Sequence, residues 1–182
     1  VVKVVNASNE FLAFGYFNDQ SRVAVRLLEW DENKAINEDW YSQKINAAIA
    51  LRAHLLSNKE TNAYRIIFSE ADFLPGLIVD KYADFLSIQI LSTGIETAKT
   101  TIIDILCKVL KPKGIFDRSD ATARTHEGIT VENGLLWGEA PAEFIAVKEN
   151  GITYHINIAE GQKSGFYCDQ RDNRRILAEY AK

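Results

Sequence analysis

The 182-residue chain has no methionine, only two cysteines, and no excess of basic residues. It also lacks any apolar run near the roughly 20 residues that a membrane-spanning helix needs, so no membrane span is expected. Its first residues, Val1-Val2-Lys3-Val4-Val5, do not show the basic–apolar pattern of a secretory signal. Cys107 and Cys168 stand too far apart to form a metal-type pair. Cys107 falls on the apolar face of a predicted helix and reads as core. With thiols used this way, a reducing, cytoplasmic setting is the default expectation. A chain that starts at Val1 without any methionine is expected to be a piece of a longer product. The predicted helix that still runs at Lys182 suggests the same for the other end. Lys and Arg number 21 against 25 Asp and Glu, giving a net charge of -4. A chain built to coat nucleic acid normally presents a basic face. What remains is a local concentration at Lys163, Arg171, Arg174 and Arg175.

What is present is a globular composition, 47% hydrophobic and 25% charged. The length suits one domain or two small ones. Residues 1–5, 11–17 and 23–28 are β-branched and aromatic runs, separated by turn chemistry at 6–9 and 18–21. They predict a small β module. Residues 31–34 read as a polar linker, and Glu38-Asp39 suits a helix N-terminus. Tyr41, Ile45, Ala48, Ile49, Leu55 and Leu56 line one face of that helix, with Gln43, Lys44, Asn46 and Arg52 outside it. His54, near its end, reads as a surface histidine.

A β–β–α–β pattern follows. Residues 64–68 form a strand, 69–76 a loop, and 77–82 with 85–90 a hairpin about Ala83-Asp84. Ile95, Ala98, Ile102, Leu106 and Val109 make one stripe of a helix over 95–110, which Pro112 and Gly114 end. Ile115-Phe116 is a short strand. Strands and helices that do not alternate strictly argue for an α+β fold rather than a doubly wound sheet. Asn133-Gly134 and Asn150-Gly151 each predict a tight hairpin, the first between 129–131 and 135–137, the second between 144–147 and 152–154.

Two groups carry candidate chemistry. Glu70, Asp72 and Asp80 read either as a carboxylate cluster for acid–base or metal work, or as caps on backbone N–H groups around a Pro-Gly turn. The other group is Gly161-Gln162-Lys163-Ser164-Gly165-Phe166-Tyr167-Cys168-Asp169-Gln170-Arg171, between an alternating strand at 152–158 and a helix with Ile176, Leu177 and Tyr180 at helical spacing. Asp169 is the expected N-cap. A glycine loop leading into a helix start can hold a carboxylate or phosphate, though an ordinary capped loop has the same form. His126-Glu127 has no nucleophile placed to complete a triad.

That second string, through Arg174, resembles the segment that opens the catalytic domain in a family of S-adenosylmethionine-dependent RNA methyltransferases. These carry an N-terminal PUA domain and form 5-methylcytosine in large-subunit (23S) ribosomal RNA. Ser69-Glu70-Ala71-Asp72-Phe73-Leu74-Pro75-Gly76-Leu77 with Val79-Asp80 resembles a second motif of the family. Asp117-Arg118-Ser119-Asp120 with Arg124 and Glu127-Gly128 resembles a third. Cys168 departs from the family's usual leucine. The resemblance implies a partial PUA-like β module at 1–32, a central mixed α/β domain at 33–140, and at 141–182 a β-hairpin with the first loop and helix of a Rossmann-like methyltransferase domain. It places Lys163, Ser164, Phe166, Gln170 and Arg171 beside the cofactor S-adenosylmethionine. It puts the catalytic cysteine and most of the cofactor core beyond Lys182, so the chain by itself is expected to be inactive. Arg118, Arg124, Arg174 and Arg175 read as RNA-binding residues, and Arg118 with Arg124 read equally as an ion-pair network that pins loops. A non-catalytic RNA- or ribosome-binding adaptor is the alternative function. No metal is implied, and a homodimer is compatible with the reading.

Overall fold

The structure, a computed structural model, describes residues 1–53 and 59–181. Within them the chain is α+β, with helices and three sheets. The first sheet joins β1 (Val2–Val5), β2 (Phe11–Phe17) and β3 (Val25–Glu29), antiparallel and in that order. Ala13 and Tyr16 are buried while Leu12 and Phe17 are exposed, a pattern that simple alternation does not give because the pairing of β2 with β3 shifts register between Phe14 and Gly15.

Helix α1 (Glu38–Leu51) starts at Asn37, whose side chain accepts from the Trp40 backbone N–H at 3.0 Å. Tyr41, Ile45 and Ala48 are buried on the expected face. His54, Leu55 and Leu56 lie outside the described residues. Arg52, expected outside, instead forms a two-pronged pair with Asp72 at 2.7 and 2.8 Å. The two-pronged bond to a buried carboxylate offsets the cost of drawing the guanidinium partly out of water.

Trp40 adds to the buried face, and its indole N–H donates to Glu29 at 3.0 Å. Burial pushes the Glu29 carboxyl up. The Trp40 indole, the Asp31 and Trp30 backbone N–H groups and Lys44 outweigh it and bring the carboxyl down to about 2. A depressed carboxyl adds stability that is full above its unfolded value and fades as pH falls toward 2. Glu29→Gln is therefore expected to lose on the order of 2 kcal/mol at neutral pH and to converge with the wild type as pH falls from about 4.5 toward 2. Urea unfolding at several pH values measures this. A constant gap across that range would rule out the charge as its source.

The central sheet has the order β4 (Ala63–Phe68), β5 (Leu77–Tyr82), β6 (Phe85–Ile90), β7 (Gly114–Asp117), β8 (Gly134–Gly138). Only β6 and β7 pair in parallel. The crossover between them is two helices, α2 (Thr93–Thr97) and α3 (Lys99–Leu110), not the single helix predicted. The backbone leaves helical geometry at Ala98, with φ -90° and ψ 4°. The break lets α2 pack on β2 while α3 packs on α1. Ile95, Ile102 and Leu106 are buried as the stripe predicted, and Val109 is not. The left-handed Lys111 ends α3 just ahead of Pro112.

The first predicted hairpin does not form. Residues 129–131 make no strand, and β8 pairs with β7 instead. Asn133-Gly134 marks the entry to β8, because Ile129 is already tied back to the Arg124 carbonyl at 2.9 Å. That tie closes α4 (Ala121–His126), a helix the pattern did not reveal, which the Asp120 side chain caps. The second hairpin forms as expected between β9 (Ile145–Glu149) and β10 (Ile152–Ile156). Asn150 and Gly151 both take positive φ, 51° and 79°, as a type I′ turn requires.

One face of the central sheet packs on α1 and α3 through Leu77, Val79, Leu86, Ile88 and Ile115. The β9–β10 hairpin packs with part of the other face, where Ala63 and Tyr82 meet Ile145, Val147, Ile156 and Ile158. Asn62 fixes the hairpin to β4, with its N–H to Lys148 O at 2.9 Å and its side chain accepting from Lys148 N at 2.6 Å. No described helix is long and apolar enough to cross a membrane.

Candidate functional site

The glycine segment leaves β10, folds back on the second face of the central sheet, and passes through a 3-10 turn (Cys168–Gln170) into α5 (Arg171–Tyr180). Asp169 is not the N-cap. Gln170 holds that position without a side-chain bond, and Asp169 instead accepts from Lys163 at 2.9 Å. The intervening 3-10 turn moves the helix start one residue further along. Ile176, Leu177 and Tyr180 share the helix as their spacing predicts, but they are exposed. Arg174 fixes α5 to the body. It makes a two-pronged pair with buried Glu149, both arms at 2.7 Å, and donates to the Tyr167 carbonyl at 2.7 Å.

The inner side of the loop is held from the central sheet. The Ser164 hydroxyl is fully buried, 2.9 Å from the Tyr82 hydroxyl, and donates to Asp80. Tyr82 also donates to the Phe166 carbonyl at 3.1 Å. Asp80 is held on its other side by Arg65 at 2.8 and 3.0 Å. Arg118 donates to three loop carbonyls: Ile158, Gly161 at 2.7 Å and Lys163 at 3.3 Å. Burial, helped by the Asp80 charge, pushes the Cys168 thiol up to about 12. At neutral pH it is an un-ionised thiol and a poor nucleophile.

The five candidate cofactor residues therefore divide. Ser164 is spent on docking. Phe166 packs between Tyr154, at 5.3 Å between ring centroids, and the Arg174 guanidinium, 4.5 Å from its ring. Lys163 and Gln170 are exposed and Arg171 half-buried. An ammonium, an amide and a guanidinium on one short segment suit a ligand with a carboxylate.

The candidate RNA residues also divide. Arg124 is 2% exposed and bonded to the Thr130 and Ile90 carbonyls, so it is the buried-network alternative and not an RNA-facing residue. Arg174 is committed to Glu149, and Arg118 to the loop. Only Arg175 of the four is exposed, paired with Glu179 at 3.0 Å. Glu70, Asp72 and Asp80 form no shared cluster. Asp72 accepts from the Phe68 backbone N–H at 2.6 Å as well as from Arg52, and Glu70 is exposed. Among the described residues no group of three His, Cys, Asp or Glu could hold a metal.

Tyr82, Arg65 and Glu149 were not singled out from the sequence. One signal was available. Ile78, Asp80 and Tyr82 alternate with Leu77 and Val79 on a strand whose two faces are both apolar-lined, so a carboxylate there had to be partnered.

Glu127 joins the first sheet to the central domain. It accepts from Ser21 at 2.6 Å and Arg26 at 2.9 Å, and its carbonyl accepts from Asn18 at 2.9 Å. Burial works against its charge, but the Arg26, Ser21 and Asn18 donors hold its carboxyl below the usual range.

Solved structures define the class of fold. It matches a putative S-adenosylmethionine-dependent methyltransferase from Streptococcus mutans, with TM-score 0.81 and 20% identity over 96% of this chain and 44% of that one. It matches equally a putative methyltransferase complexed with SAH, with TM-score 0.83, 20% identity and the same coverage. Residues 1–30 match a family model described as a PUA-like domain. More particular are the curated relatives named Ribosomal RNA large subunit methyltransferase I. The chain is 38% identical to the one from Aliivibrio fischeri over 100% of its own length and 46% of the relative's. The corresponding values are 39%, 100% and 46% for Shewanella denitrificans, and 37%, 98% and 45% for Photobacterium profundum. The chain thus spans about half the length of the curated relatives it matches.

Proposed function

We propose that this chain is the substrate-recognition part of an S-adenosylmethionine-dependent RNA methyltransferase that forms 5-methylcytosine in large-subunit (23S) ribosomal RNA in the cytoplasm. The observation that carries the reading is the likeness, along the whole of this chain, to relatives named Ribosomal RNA large subunit methyltransferase I, 38% in the first of them. The loop supports it. Lys163, Gln170 and Arg171 have the donor chemistry to hold the carboxylate of the cofactor's methionine end, which when bound supplies an electrophilic methyl group. Ser164 and Phe166 act behind them, shaping the loop. The described residues offer no activated nucleophile, so this chain by itself is expected to transfer no methyl groups. Among Arg118, Arg124, Arg174 and Arg175, Arg175 is the one with an exposed guanidinium.

The test uses the whole protein. SAH affinity is measured by calorimetry for the wild type and for Lys163→Ala combined with Gln170→Ala. Loss of two polar contacts is expected to weaken binding by about tenfold or more, roughly 1.4 kcal/mol. Unchanged affinity would remove the loop from the cofactor site. Large-subunit RNA treated with the wild type is then digested and its nucleosides are analysed by mass spectrometry. 5-Methylcytosine is the expected product. A different methylated nucleoside would refute the cytosine assignment, and none at all would favour the adaptor reading.

A further inference from the structure

We infer that Arg118 and Tyr82 of the central domain are positioning residues that set the shape of the cofactor loop from behind, an inference that rests on the cofactor reading above. Two anchors reach the loop independently. Arg118, just after β7, takes the carbonyls of Ile158, Gly161 and Lys163, so one guanidinium spans the start and middle of the segment. Tyr82, at the end of β5, takes the Phe166 carbonyl and meets Ser164, which also donates to Asp80. Tyr82, Asp80 and Ser164 are all fully buried, so water does not compete for these bonds.

The backbone shows why such holding is needed. Lys163 is not a glycine, yet it sits at φ 54°, a left-handed conformation that side chains disfavour. The third Arg118 bond falls on this residue's carbonyl. With the backbone carbonyls turned inward, Lys163 and Gln170 stay exposed and Arg171 half-buried, with local contacts to Asp169, Asn173 and Asp172 that a ligand carboxylate can replace. An open groove of about 500 Å³ beside the clamp is lined by Arg65, Arg118, Asp120 and Lys163. Two of its cations are committed inward, Arg65 to buried Asp80 and Arg118 to the loop carbonyls. The clamp thus serves the loop rather than a phosphate in that groove.

The experiment compares Arg118→Ala, Arg118→Lys and Tyr82→Phe in the whole protein. It is run at a temperature where circular dichroism shows each folded. Two quantities are read: amide hydrogen exchange of Gly161 and Gly165, whose N–H groups are bonded within the loop, and SAH affinity. Arg118→Ala is expected to speed exchange at both amides and weaken SAH about tenfold. Arg118→Lys, which keeps the charge but not the fork, falls between it and the wild type. Tyr82→Phe, which deletes only a hydroxyl, gives the same two effects, smaller, and carries the test should Arg118→Ala not fold. A merely structural role would lower melting temperature without changing affinity in the folded protein. Unchanged exchange overturns the clamp. Faster exchange with unchanged SAH affinity overturns the positioning role, and the cofactor reading survives if the Lys163 and Gln170 double variant still binds weakly. A wild type that binds no SAH overturns the cofactor reading and, with it, this role.

Discussion

Arg124→Ala is expected to destabilise the chain by about 3–5 kcal/mol, the cost of breaking a buried ion pair by removing one partner. Arg124 donates through Nε to Thr130 O at 2.8 Å and through one terminal nitrogen to Ile90 O at 3.3 Å. The same nitrogen lies 3.0 Å from Glu96 and 3.8 Å from Asp117. Asp117 is fully buried. One of its oxygens takes the Ser119 N–H at 2.8 Å and the Ser119 hydroxyl, while Oδ2 has no hydrogen bond. Burial already raises the Asp117 carboxyl, and the Ser119 donors and Arg124 work against that rise. Without Arg124 the carboxylate loses its nearest cation, the buried Ile90 carbonyl loses a donor, and so does the Thr130 carbonyl.

The sign of the pH effect follows. A carboxyl whose folded pKa is raised binds more protons in the folded state, so stability falls as pH rises from the ordinary aspartate range, about 4, through the raised value. The Arg124→Ala deficit should therefore shrink at acid pH as Asp117 becomes neutral. Adding Asp117→Asn should recover part of it at neutral pH. Urea unfolding of the single and double variants measures both. A deficit that is the same at every pH and unmoved by Asp117→Asn would assign the loss to packing alone.

Gly94→Ala is expected to cost about 3 kcal/mol, near the upper end of ordinary overpacking. It reverses the sign of a substitution that in a free helix gains about 1 kcal/mol. A Cβ at Gly94 would lie 2.0 Å from Cγ of Tyr16. That ring cannot simply move aside. It is 6% exposed, and its hydroxyl is 2.5 Å from that of Tyr41 on α1. Gly94 is where α2 meets the first sheet, so the clash falls on the joint between the two units. In a Tyr16→Ala background the same change should be neutral or stabilising, because the obstacle is gone and the helix preference remains. Additive costs in the double variant would show that Tyr16 is not the obstacle.

The two variants show where sequence reading reaches its limit. Gly94 and Tyr16 are 78 positions apart, and each looks ordinary in its own element. The Tyr16 run reads as a strand whatever lies beneath it. Arg124 reads as a surface arginine or a buried one with equal ease, since a single side chain carries no sign of which carbonyls will surround it. The same holds for Asn133-Gly134 and Asn150-Gly151. The dipeptide favours a tight turn at both, but only the second has two chain segments free to pair with each other. At the first, β7 takes β8, and the preceding residues are held by Arg124.

The sequence by itself determined the α+β class, the three strands of the first sheet, the hairpin about Ala83-Asp84, the buried Tyr41, Ile45 and Ala48 of α1 and Ile102 and Leu106 of α3, and the position of the glycine loop. These follow from local rules: period two or 3.6 in apolar residues, and turn residues at fixed offsets. Only the tertiary structure decided which side of each polar residue faces a partner. It turned Ser164, Arg118, Arg124 and Arg174 inward and left Lys163, Gln170 and Arg175 outside. The reason is physical. A buried charge or hydroxyl left without a partner is costly, and the partners here, Asp80, Tyr82, Glu149 and the loop carbonyls, are brought from distant parts of the chain by the packing of apolar residues.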